Sequence, residues 1–109
     1  MKTVWIVDDD PAIRALLQIA LERMGAQVTG FSSVAEVRAA LRAGQPHPEV
    51  CLADWTLNDG PVTDLHLLMP QVRFVVMSGN PVVEEGLPAD ILWLPKPFRL
   101  EQLSGVTLS

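Results

Sequence analysis

What this chain has little of narrows its chemistry first. Its only cysteine is Cys51, so no intrachain disulfide framework exists, and the composition fits a reducing cytoplasm. No apolar run approaches the roughly 20 residues needed to cross a bilayer, and no secretory leader pattern opens the chain. Cationic residues are few and scattered: 8 Lys and Arg stand against 13 Asp and Glu, for a formal net charge of −5. Without a basic cluster, direct contact with nucleic acid or an anionic membrane surface is not expected. Repeats, low-complexity stretches and linkers are also missing. What remains is 109 residues with 49% apolar and 19% charged content, the balance of one globular domain with a real core.

Short β-rich apolar runs alternate with helical patterns. Thr3–Val7 (TVWIV) is a strand of the kind buried on both faces. Asp10 followed by Pro11 marks a helix start, a carboxylate N-cap with proline at the first helical position. Ile13, Leu16, Leu17, Ala20, Leu21 and Met24 then recur at helical spacing as one apolar stripe, ended by Gly25. A second strand, Gln27–Phe31, leads to Ser32 and Ser33, either able to cap a helix carrying Val34, Val37 and Leu41 and stopping near Gly44. After a proline-broken loop, residues 50–53 (VCLA) form a third strand running into Asp54. The turn LNDGP and a short helix over residues 63–69 follow, then a fourth strand, 73–77 (RFVVM), ending at Ser78 and Gly79. A brief helical piece around residues 82–87, a fifth strand over 91–94, the Pro95-Lys96-Pro97 break and a final helix starting at 100–103 complete the pattern. Five βα alternations imply an α/β, doubly wound parallel sheet with right-handed crossovers and helices on both faces.

In such a sheet, ligands sit beyond the carboxyl ends of the strands, at the switch point in strand order. Asp8 and Asp9 end the first strand, Asp54 the third, Ser78 the fourth and Lys96 the fifth, whereas the second ends uncharged. With order 2-1-3-4-5 the four functionalised strands are contiguous, and three carboxylates, a hydroxyl and an ammonium meet in one pocket. At an effective dielectric near 20, two carboxylates about 4 Å apart repel by roughly 4 kcal/mol. A hard divalent cation such as Mg²⁺ removes that conflict and leaves room for phosphate oxygens. Lys96 and Ser78 are suited to donate to those oxygens, so the set fits phosphoryl transfer to a carboxylate nucleophile.

The four segments VDDDP, LADWTL, VVMSG and LPKPF, in this order and near these spacings, resemble the receiver domain of bacterial two-component response regulators (the CheY-like, flavodoxin-like receivers). The resemblance covers about residues 3–104 and implies a single receiver domain over 1–109 with no output domain in this chain. It implies Asp54 as phosphoacceptor from a histidine kinase's phosphohistidine or a phosphotransfer protein. Asp8, Asp9, Asp54 and the main-chain carbonyl of Thr56 would hold Mg²⁺, Asp9 directly and Asp8 largely through water. Ser78 and Lys96 would contact the phosphoryl group, with a cis peptide expected before Pro97, and Trp93 falls on the aromatic switch position. The only catalysis expected is of the domain's own phosphorylation and dephosphorylation, with a downstream effector protein reading the result.

Three departures from the family pattern stand out. Pro61 and Val62 replace the usual Asp-Gly or Asn-Gly pair, although Asp59 and Gly60 keep turn chemistry nearby. The interval from Ser78 to Lys96 is about one helical turn shorter than usual, which predicts a stunted fourth helix. The last helix should be brief, because Gly105 and Thr107 discourage extension. The dimer face formed by the family's fourth and fifth helices is therefore expected to be altered. Trp5 and Cys51 read as core, and Asp10 as a cap only. Trp93 reads equally as a half-buried strand aromatic, Trp55 as a pocket shield or a surface aromatic, and His47 and His66 as incidental. The rival functions are an interaction adaptor acting independently of phosphorylation and a haloacid-dehalogenase-type phosphatase. The second wants an Asp where this chain has Thr56. A nucleotide- or flavin-binding domain is disfavoured because no Gly-rich loop follows the first strand.

Overall fold

The computed structural model describes residues 2–80 and 86–108. The strands are β1 (Thr3–Val7), β2 (Gln27–Phe31), β3 (Val50–Asp54), β4 (Arg73–Ser78) and β5 (Ile91–Pro95). The helices are α1 (Pro11–Arg23), α2 (Val34–Arg42), α3 (Thr63–Leu68) and α4 (Leu100–Thr107). All five strands pair in parallel, in the order β2-β1-β3-β4-β5. The helical piece expected around residues 82–87 falls largely outside the described residues. No described helix is long and apolar enough to cross a membrane.

Alternation along each strand divides the core into two layers. Trp5, Val7, Cys51, Ala53, Phe74 and Val76 face α2 and α3, where Val34, Val37, Ala40 and Leu65 meet them. Val4, Ile6, Leu52, Val75, Met77 and Leu94 face α1 and α4, through Leu17, Leu21 and Leu103. Every residue of β3 is buried, as expected for the central strand of a sheet covered on both sides. Trp5 and Cys51 are core residues, 5% and 0% exposed, and Trp5 packs on Phe31 at 4.8 Å between ring centroids.

The local signals at the helix ends hold. Asp10 accepts from Ala12 N–H at 2.9 Å and Ile13 N–H at 3.4 Å, with Pro11 in the first turn. Of the two serines before α2, Ser33 is the cap, accepting from Glu36 N–H at 3.1 Å. Ser32 instead donates its N–H and hydroxyl to the Glu36 carboxylate. Gly25 and Gly44, at φ 95° and 83°, end α1 and α2 in the left-handed region that favours glycine.

Packing adds two details to the helices. The α1 stripe is not uniformly core: Leu17 and Leu21 are buried, but Ile13 and Leu16 are 36% and 65% exposed. These two flank an apolar groove of about 500 Å³ closed on its other side by Pro97 and Phe98. A helix lying on a sheet buries only the residues under it. The last helix, α4, is brief as expected, and it includes Gly105 and ends at Thr107. Thr107 is fully buried and donates its hydroxyl to Leu103 O at 2.6 Å, so a poor helix former is held by burial and a satisfied hydroxyl. At eight residues, against thirteen in α1, it is still a short helix.

Candidate functional site

Register builds the site. β1 and β3 pair Trp5 with Cys51, Ile6 with Leu52 and Val7 with Ala53, and one step further along the same parallel register sets Asp8 beside Asp54. Asp54 pairs with Met77, and Ser78 with Pro95, which brings Ser78 and Lys96 to the same sheet edge. One carboxylate oxygen each from Asp8, Asp9 and Asp54 lies within 4.8 Å of the others. Lys96 Nζ is 3.5 Å from Asp54 Oδ2 and about a third exposed.

The three carboxyls have different surroundings. Asp8 is 1% exposed; its Oδ1 accepts from Asp10 N–H at 2.9 Å, while its buried Oδ2 has no hydrogen-bond partner among the described residues. Burial pushes its carboxyl above the ordinary range; the Asp10 N–H opposes this, Asp54 adds to it, Lys96 opposes and Asp9 adds. Asp9 is exposed, and its Oδ2 accepts from Asn58 Nδ2 at 3.1 Å. Asp54 is 6% exposed, its Oδ1 accepting from both the N–H and the hydroxyl of Thr56, each at 3.1 Å. A buried carboxylate oxygen left unpaired beside two more carboxylates is a costly arrangement in protein alone. The all-oxygen donor set and that orphaned atom fit a hard divalent cation of the Mg²⁺ class.

Ser78 is buried and accepts from Asn80 N–H at 3.1 Å. Its main-chain carbonyl accepts from Lys96 N–H at 2.9 Å, tying the ends of β4 and β5 together. The Lys96–Pro97 peptide is cis, as the resemblance implies. Trp93, on β5, is half-buried; its indole N–H is buried without a partner among the described residues. Trp55 is partly buried against the α2/α3 layer, directly after Asp54.

Three contacts escaped the sequence reading. Arg14 Nη1 donates to the main-chain carbonyl of Asp8 at 2.8 Å. The signal was available, since Arg14 lies one helical turn after the cap Asp10 and so faces the strand end. Asp59, in the loop after Asp54, accepts from Val34 N–H at 3.0 Å and Ala35 N–H at 2.9 Å. It is a second cap for α2, supplied from 25 residues away, and no local spacing reports it. Those two N–H donors hold the Asp59 carboxyl below the usual carboxylate range. His66 is not incidental: its Nε2 pairs with Asp90 Oδ2 at 2.9 Å, and its ring meets the edge of Phe74. His47 is exposed.

No protein-family model matches the chain. It is 31% identical over 110 residues to the DNA-binding transcriptional regulator NtrC of Escherichia coli K12, across 91% of this chain and 22% of that protein. The chain thus spans under a quarter of the length of the curated relatives it matches first. Among solved structures it is similar to a CheY-like receiver domain protein from Methanospirillum hungatei, with TM-score 0.80, 26% identity, and 96% of this chain and 89% of that one covered. It is equally similar to a transiently phosphorylated switch of bacterial signal transduction, with TM-score 0.79, 26% identity and coverage of 97% and 90%. Sheet order, strand-end chemistry and these likenesses over nearly the whole chain agree: it belongs to the receiver-domain family of two-component response regulators.

Proposed function

We propose that this receiver accepts a phosphoryl group on Asp54 from the phosphohistidine of a partner kinase or phosphotransfer protein, and that the change is read by a downstream effector. The observation carrying this reading is the convergence of Asp8, Asp9 and Asp54 within 4.8 Å, with the Lys96 ammonium on Asp54. In the transfer, an Asp54 carboxylate oxygen bonds to phosphorus as the phosphorus–nitrogen bond to the donor imidazole breaks, the electron pair leaving on nitrogen. Lys96 and the Ser78 hydroxyl donate to phosphoryl oxygens, which is positioning and charge stabilisation rather than covalent chemistry. Asp8, Asp9, Asp54 and the carbonyl of Thr56 would hold Mg²⁺, whose contribution when bound is to neutralise charge on the carboxylates and the phosphoryl oxygens.

Ser78 reaches a new phosphoryl group by exchanging its bond from Asn80 N–H, which shifts the chain after β4. Trp93, whose indole N–H has no partner to lose among the described residues, is placed on β5 to register that shift. The test is intact mass after incubation with acetyl phosphate and Mg²⁺, beside Asp54→Ala. A gain of one phosphoryl group in the parent and none in the variant is expected. No gain in the parent would sink this reading and favour an adaptor that works without phosphorylation, and an equal gain in both would take the phosphoryl group off Asp54.

A further inference from the structure

β1 ends where the acidic site begins, and the main chain there has lost half of its sheet partners. Asp8 N–H still donates to Phe31 O on β2 at 3.0 Å. Its carbonyl points the same way, and in a continuing parallel ladder would accept from the next N–H of β2. But β2 stops at Phe31, and the chain turns through Ser32 and Ser33 into α2. A main-chain carbonyl left unpaired at this depth costs free energy comparable to a lost hydrogen bond. Arg14 fills the missing rung: its Nη1 donates to Asp8 O at 2.8 Å.

The arm of Arg14 reaches that carbonyl by lying across Gly30. A methyl group on Gly30 would stand 3.1 Å from Arg14 Cδ and 3.2 Å from Cγ, closer than side chains ordinarily pack. Gly30 is not at positive φ, so its lack of a side chain serves space rather than backbone freedom. Two successive peptides are therefore held, Val7–Asp8 by β2 through the Asp8 N–H and Asp8–Asp9 by Arg14 through its carbonyl, and the second joins both carboxylates that the end of β1 contributes to the acidic cluster.

We propose that Arg14, seated on Gly30, is a positioning residue for the cation site: it fixes the Asp8–Asp9 peptide and so preorganises both carboxylates. This rests on the reading of Asp8, Asp9 and Asp54 as that site. Its sign separates it from a plain charge effect. Removing a positive charge beside a cation site should tighten cation binding, whereas loss of positioning weakens it.

The experiment titrates the 109-residue chain with Mg²⁺ alone, following tryptophan emission and amide NMR shifts, for the parent, Arg14→Ala, Arg14→Lys, Gly30→Ala and Arg14→Ala/Gly30→Ala. Arg14→Ala should raise the Mg²⁺ Kd about tenfold, as expected for an outer partner of a metal ligand, with Arg14→Lys recovering part of it. Gly30→Ala should weaken binding by displacing the arm, and should do nothing further once that arm is gone. Arg14→Ala binding unchanged or tighter, or a Gly30→Ala penalty that persists without the Arg14 side chain, overturns the proposal. A second readout needs no metal. The Asp9 amide ¹⁵N shift senses hydrogen bonding at the Asp8 carbonyl, and it should move in Arg14→Ala and Gly30→Ala without Mg²⁺. If the parent binds no Mg²⁺, the cation reading fails; if the Asp9 shift does not move, the hold by Arg14 fails.

Discussion

Asp59→Ala offers a sharp test of how the loop after Asp54 is held. The Asp59 carboxylate accepts from Val34 N–H at 3.0 Å and from Ala35 N–H at 2.9 Å, two donors of α2's first turn that have no intrahelical partner. Loss of an N-terminal cap costs about 1 kcal/mol, within roughly 0.5–2, and loss of a negative charge from a helix N-terminus adds about 0.3–1 kcal/mol. Asp59 is exposed and Ser33 continues to cap Glu36 N–H, so about 1.5 kcal/mol is a reasonable expectation. For a domain of this size that lowers Tm by about 6 °C. Asp59→Asn, which keeps one acceptor oxygen but loses the charge, should fall between the two.

The effect carries a pH signature. The folded-state pKa of Asp59 is lowered by the Ala35 and Val34 N–H donors, so the ionised form is favoured by folding. Its stabilisation is fully present above the unfolded carboxylate value of about 3.9 and is lost as pH falls through the lower folded value. Urea unfolding of parent and Asp59→Ala should show a gap of about 1.5 kcal/mol at neutral pH that closes on acidification below about pH 4. A gap under about 0.3 kcal/mol at pH 7, or one that stays constant into the acid range, would mean that the Asp59 carboxylate does not cap α2.

Asp8→Asn relieves the burial and like-charge repulsion that raise the Asp8 pKa, so it should raise the metal-free Tm while abolishing Mg²⁺ binding; an unchanged or lower Tm counts against the electrostatic account. Because that folded pKa is raised, ionising Asp8 costs stability as pH rises through it, and parent and Asp8→Asn should converge in acid. Lys96→Ala should slow labelling by acetyl phosphate about a hundredfold, as for removal of one oxyanion donor, without loss of Mg²⁺ affinity; unaltered labelling removes Lys96 from the mechanism. Leu17→Ala should cost about 2–5 kcal/mol in urea unfolding, since Leu17 is 4% exposed. Leu16→Ala, at 65% exposure, should cost under about 0.5 kcal/mol, and equal costs would mean that the whole stripe is core.

Features that depend on neighbours along the chain were legible in the sequence. Asp10-Pro11 starts a helix, and five short apolar runs separated by helical spacing make a parallel sheet, because a cap or a strand face is decided within a few residues. The acidic cluster was legible too: strand ends carry it, and topology rules send the ends of parallel strands to one edge. Contacts between distant segments were not. Asp59 looked like a turn residue and is also a cap for α2, while His66 looked alone until the start of β5 brought Asp90 to it.

That three carboxylates, a hydroxyl and an ammonium lie at strand ends follows from the sequence alone, because a strand's length and its alternation are local properties. How they meet depends on the packing of distant segments. Parallel register set Asp8 beside Asp54, and the end of β2 left a carbonyl for Arg14 to hold. Packing decided that Ile13 and Leu16 of the α1 stripe are left exposed and that Thr107 is buried. Burial and long-range hydrogen bonds depend on what other segments place nearby, and a single stretch of sequence carries no record of that.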